Sequence, residues 1–65
     1  MNKRLKQIRE EKGISQKDVA NALGVTISCY SNYEQGIRLP SIEVVIKICK
    51  FFNVSADYLL GLTDL

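Results

Sequence analysis

Sixty-five residues with a net charge of +2 leave room for one small domain that must pack economically or associate. A 46% hydrophobic share beside 25% charged residues excludes a disordered tail, a collagen-like repeat and a low-complexity linker, and no apolar run approaches the roughly 20 residues that cross a bilayer. Cys29 and Cys49, in a chain without histidine, are too few ligands for structural zinc, and the missing imidazole removes the commonest general base, so no metal, cofactor, enzymatic activity or membrane partner is expected.

The opening Met1-Asn2-Lys3-Arg4 leads into charge rather than into the apolar core of a signal peptide, which points to the cytoplasm. Helical spacing recurs from here on, and nothing reads as a strand pair. A first helix is predicted over 2–12, with Leu5, Ile8 and Arg9 on one side and Gly13 where it stops. Lys3, Arg4, Lys6, Arg9, Lys12 and then Lys17 outnumber Glu10 and Glu11, which suggests a basic face. Ser15 caps a short second helix with Asp18 in its first turn, and Val19, Ala20 and Leu23 form its apolar stripe before Gly24. Thr26 caps a third helix that runs through Tyr30, Tyr33 and Glu34 to about Gln35 and closes at Gly36. After a Pro-containing loop, Ser41 caps a strongly apolar fourth helix, whose Ile42, Val45, Ile46, Cys49 and Phe52 share a broad face expected to be the central packing surface. Asn53 ends it, Ser55 caps a last turn or two through Leu60, and Gly61 releases the chain. The expected fold is all-α, five short helices in one domain over 1–65.

The stretch 16–35 carries the most specific pattern. Small Ala20 lets two helices approach closely, Gly24 supplies the positive φ of a tight turn, and Val19, Leu23, Val25, Tyr30 and Tyr33 pack the pair onto the other helices, as a helix-turn-helix requires. Ile27, Ser28, Ser31 and Asn32 then fall on the side of the third helix that packing leaves free, where they could reach base edges.

The run S-Q-K-D-V-A-N-A-L-G-V-T-I-S-C-Y-S-N-Y-E-Q-G followed by R-L-P-S resembles the Cro and lambda-repressor-like (XRE) helix-turn-helix family. The opening L-K-Q-I-R-E-E-K-G-I and the closing N-V-S-A-D-Y-L-L-G are family-like as well, so the likeness covers nearly the whole chain. It implies a compact five-helix lambda-repressor-like domain with the helix-turn-helix formed by helices 2 and 3. The implied function is that of a bacterial or phage regulator, usually a repressor, acting as a dimer on a palindromic operator in double-stranded DNA.

Position by position, the resemblance implies that Gln16 contacts phosphate and braces the recognition helix. Thr26, Ile27, Ser28, Ser31 and Asn32 match its exposed positions: Asn32 suits adenine, Ser28 several base edges and Ile27 a thymine methyl, while Thr26 is placed at the DNA backbone. The helix has no arginine, so bidentate guanine recognition from it is not available. Arg38 matches a loop position set against the DNA backbone, with Asn2, Lys3, Lys6 and Lys17 as further backbone candidates. Arg9 and Glu34 match an internal ion pair that joins helix 1 to helix 3 in relatives.

Tyr30 and Tyr33 are expected in the core with their hydroxyls reaching the surface or a backbone partner, rather than stacked on bases. Cys29 reads as a half-buried filler before a redox switch, and Cys49 as core. Val44, Phe51, Tyr58, Leu62 and Leu65 exceed what five short helices bury, which suggests a two-fold dimer through helix 5 and the C-terminal residues, with two recognition helices about 34 Å apart; the alternative is that 62–65 begin a linker to an effector domain. A competing function is an antitoxin or protein-binding adaptor in which DNA binding is secondary.

Overall fold

The computed structural model describes residues 1–63, and among them the chain forms five α-helices and no strand. These are α1 (Asn2–Glu11), α2 (Gln16–Leu23), α3 (Ile27–Gln35), α4 (Ile42–Phe52) and α5 (Ala56–Leu59). Each start after the first uses one device. Ser15, Thr26, Ser41 and Ser55 adopt extended backbone, and each side-chain oxygen accepts a hydrogen bond from the N–H three residues on. Such a cap is worth about 1 kcal/mol against alanine. At the ends of α2, α3 and α4, Gly24, Gly36 and Asn53 turn left-handed, the last at φ 56°. Lys12 and Leu60 are the C-caps of α1 and α5, so both helices stop one residue short of the sequence expectation.

The core takes Leu5 and Ile8 from α1, Val19, Ala20 and Leu23 from α2, Tyr30 and Tyr33 from α3, Ile48 and Phe52 from α4, and Leu59 from α5. Ala20 is fully buried, consistent with its expected role at a close helix approach. The two tyrosines meet edge to face, ring centroids 6.3 Å apart.

The expected inward face of α4 needs correction. Ile48, absent from that set, is fully buried, and Phe52 is the only member of the set that is buried too. Val45 and Cys49 are half-buried, while Ile42 and Ile46 are exposed. The side facing the core is centred on Ile48 and Phe52, with half-buried Val44, Val45 and Cys49 packed against it. The helix is apolar around most of its circumference, so hydrophobicity alone does not select which side turns inward. Val44, expected on a dimer surface, is therefore half-buried against the core.

Tyr30 departs from expectation at its hydroxyl, which is buried with no hydrogen-bond partner among the described residues. Burial, reinforced by the nearby Glu34 carboxylate, pushes this phenol far above its usual range. No helix among the described residues is long and apolar enough to cross a membrane.

Candidate nucleic-acid interface

A turn from Gly24 to Thr26 joins α2 to α3. Gly24 sits at φ 74°, a conformation that lets its N–H and that of Val25 return to the Asn21 and Ala20 carbonyls at 3.2 and 3.0 Å. Thr26 Oγ1 is committed to the Cys29 N–H at 3.0 Å, and its side chain remains at the surface. Because Tyr30, Tyr33 and Glu34 turn inward, the outer side of α3 presents Ile27, 47% exposed, with exposed Ser28 and half-buried Ser31 and Asn32. The expected base-reading residues thus share one helix face.

Within that face the groups are not equally available. Gln35 Nε2 donates to Ser31 Oγ at 2.8 Å, so a residue that the sequence reading passed over orients one that it selected. The available signal was the i, i+4 spacing of a hydroxyl and an amide. The Asn32 side chain makes no hydrogen bond within the described residues, which leaves both its donor and its acceptor open. Its main chain is fully occupied: the Asn32 carbonyl accepts the Ile37 N–H at 3.0 Å and the Arg38 N–H at 3.3 Å. Arg38, exposed, is thereby tied through the backbone to Asn32, the residue expected from sequence to read a base.

Behind this face lies a buried polar cluster. Arg9 Nε donates to Glu34 Oε2 at 2.6 Å and Nη2 to Oε1 at 3.1 Å, a bidentate clasp between α1 and α3. The remaining Arg9 contact, Nη1 to the Ile14 carbonyl at 2.9 Å, secures the α1–α2 connection. Gln16 Nε2 donates to the same Glu34 Oε1 at 3.1 Å. Burial by itself would raise the Glu34 carboxyl, but Arg9 foremost, then the nearby Tyr30 hydroxyl and the Gln16 amide, outweigh it and hold that carboxyl below the usual range. The Glu34 hydrogen bond, against opposing burial, raises Arg9 further above its ordinary value. Gln16 therefore braces α3 with one amide N–H and keeps a second N–H and its carbonyl for another partner.

Asn2, expected as a further backbone candidate, also has a structural role. Its amide lies 3.5 Å from the Glu34 carbonyl, packed so closely under Gly36 that a Cβ there would come within 3.1 Å of it. Lys3, Lys6 and Lys17 are exposed, as backbone contacts must be. Cys29 is half-buried with its sulfur 3.3 Å from the Tyr33 hydroxyl, and this pairing, with the phenol proton shared toward sulfur, acts together with burial to raise that phenol. Tyr58, expected at a dimer surface, is half-buried with the Arg4 guanidinium 4.4 Å above its ring, while Leu62 is 73% exposed. Leu65 lies outside the described residues.

The family model described as Helix-turn-helix matches residues 5–59. The HTH-type transcriptional regulator ImmR of Bacillus subtilis is 41% identical over 61 residues, covering 94% of this chain and 48% of ImmR. The cryptic phage CTXphi transcriptional repressor RstR of Vibrio cholerae is 37% identical over 51 residues, 78% of this chain and 46% of RstR. The chain thus spans about half the length of these relatives. Among solved structures, the P22 c2 repressor in complex with a synthetic operator matches with a TM-score of 0.84 and 26% identity, covering 89% of this chain and 88% of that one. With its five helices, its capped α2–turn–α3 and a match extending from Leu5 to Leu59, the chain belongs to the Cro and lambda-repressor-like (XRE) helix-turn-helix family.

Proposed function

We propose that this protein is a sequence-specific regulator of transcription, a repressor that acts in the cytoplasm as a dimer on a palindromic operator. The observation that carries the reading is the outer face of α3: Ile27, Ser28, Ser31 and Asn32 stand together on a helix clamped from behind by Arg9, Glu34 and Gln16. A helix held this rigidly enters a major groove without losing further conformational freedom. Asn32 pairs with adenine, Ile27 packs on a thymine methyl, and Ser28 and Ser31 accept or donate as the base edge demands. Gln16, Lys17, Thr26, Arg38, Lys3 and Lys6 hold the phosphate backbone and set the register. Repression follows from occupancy of the operator, and RstR and the P22 c2 protein are both named repressors.

Selection of duplexes from a randomised DNA pool at near-physiological salt tests this directly. A palindrome should be enriched, with half-sites one helical turn or about 34 Å apart. A folded protein that enriches nothing refutes it.

A second reading, an antitoxin or adaptor that chiefly binds protein, is favoured by the exposed apolar side chains of Ile37 and Leu39 and by an α3 without arginine. Salt separates the two. Binding to DNA should weaken with a log-log slope near −0.9 for each phosphate neutralised, whereas an apolar protein interface should be nearly indifferent.

A further inference from the structure

The displaced inward face of α4 leaves a second apolar row on its outside. Ile42 is 79% exposed and Ile46 48%, continuous with half-buried Cys49, and Leu39 just ahead of the helix is 79% exposed. Ile42, Ile46 and Cys49 are spaced four and then three residues apart, which is the d–a–d spacing of a coiled-coil seam. With Ile48 and Phe52 in the core and Val44, Val45 and Cys49 packed against it, α4 leaves Ile42 and Ile46 as its uncovered apolar side, and Cys49 stands at the boundary between the two.

The charges beside this seam indicate what covers it. Glu43 and Lys50 are both exposed and stand one heptad apart, so both occupy the e edge of the seam, the acid near the N-terminus of α4 and the base near its C-terminus. That edge is complementary to itself when reversed. In an antiparallel pair related by a two-fold axis, each Glu43 lies across from the other copy's Lys50, so the contact is made twice and the helix dipoles oppose.

We propose that the Ile42–Ile46–Cys49 seam of α4 is a docking surface for a second copy of this chain, running antiparallel, with Glu43 and Lys50 as reciprocal ion pairs. This deepens the reading of the protein as a dimeric DNA-binding regulator and rests on it only for its purpose, since no residue of α3 takes part. A seam this short, even with Leu39, falls below the roughly 1,200 Å² of a standard interface, so the free dimer is weak. Two copies on adjacent half-sites have a high effective concentration, and there the same contact suffices.

Sedimentation equilibrium of the whole chain without DNA, up to roughly millimolar protein, tests the proposal, with circular dichroism to show that each variant is folded. The wild-type mass should rise toward that of a dimer, and Ile46→Lys should remain monomeric. Glu43→Lys and Lys50→Glu should each weaken association by about tenfold, because each replaces attraction by repulsion at two symmetric contacts. The combined Glu43→Lys/Lys50→Glu protein should recover to within about twofold of wild type. A chain that is monomeric throughout, an Ile46→Lys variant that associates as before, or a double reversal that does not recover would each overturn it. Because DNA is absent, failure here leaves operator binding standing, and failure of the duplex selection leaves this surface standing.

Discussion

Removing the Glu34 carboxylate should come close to unfolding the domain. Glu34→Ala deletes both Arg9 hydrogen bonds, at 2.6 and 3.1 Å, and the one from Gln16 at 3.1 Å. Arg9, whose side chain is only 14% exposed, keeps its charge and its contact with the Ile14 carbonyl but loses its counterion. Breaking one partner of a buried pair typically costs about 3–5 kcal/mol, consistent with charge-assisted hydrogen bonds at about 1.5–3 kcal/mol each partly offset by hydration of the freed arginine. A domain of this size has about 3–10 kcal/mol in total, so much of the stability would be lost, and the midpoint of thermal unfolding should fall by about 20–35 °C. Urea unfolding of wild type, Arg9→Ala, Glu34→Ala and the double variant gives the coupling directly, which should exceed about 2 kcal/mol. Arg9→Met combined with Glu34→Met should sit within about 1 kcal/mol of wild type, because it removes the desolvation penalty together with the attraction. A coupling below about 0.5 kcal/mol, the value of an exposed pair, would refute the view that this clasp holds α1 to α3.

The same carboxyl sets an acid limit. Its folded pKa lies below the unfolded value near 4.3, so its contribution is present above that value and disappears as pH falls through the folded one; acid titration of stability should show the loss below about pH 5, and Glu34→Gln should flatten it. Tyr30 works in the opposite sense. Its raised pKa contributes stability that is present below the unfolded value near 10 and declines as pH rises above it, and Tyr30→Phe should remove that alkaline decline while stabilising the protein by about 1 kcal/mol at pH 7, since it deletes a buried hydroxyl without a partner; a loss in urea melts would show that the hydroxyl is satisfied. Asn32→Ala should relax discrimination at one base position by about 1–3 kcal/mol, whereas Arg38→Ala should weaken all duplexes alike and reduce the salt slope by about 1 per protomer, and equal losses on every sequence from Asn32→Ala would refute its base-reading role. Gly36→Ala should destabilise more than Gly24→Ala, by urea melts: both positions have positive φ, but only at Gly36 does the new methyl meet another side chain, that of Asn2.

Local chemistry was the legible part of the sequence. A serine or threonine ahead of each later helix, and a glycine or asparagine after α2, α3 and α4, announce structure made by residues within four of one another, and their positions hold to a residue. The outer face of α3 followed from the same logic, because the inward tyrosines leave one side free. What could not be read was set by contacts between distant segments. The inward row of α4 depends on how it docks against α2 and α5, and a helix with two apolar sides satisfies its own periodicity either way round. The Arg9–Glu34 clasp was visible through family likeness, but the convergence of Gln16 on the same oxygen and the fit of Asn2 under Gly36 require three-dimensional packing. The orphaned hydroxyl of Tyr30 belongs to the same class, since nothing adjacent in sequence reveals that its end is sealed.

The loop that bears Arg38 is anchored to the Asn32 carbonyl, a group that every amino acid possesses. Replacing the Asn32 side chain leaves the anchor intact, so on the proposed reading the base contacted can change while the Arg38 phosphate contact stays where it was. On that reading recognition and placement are heritable separately: a lineage would acquire a new target by exchanging a few outward side chains on α3, without first rebuilding the part that seats the domain on the duplex.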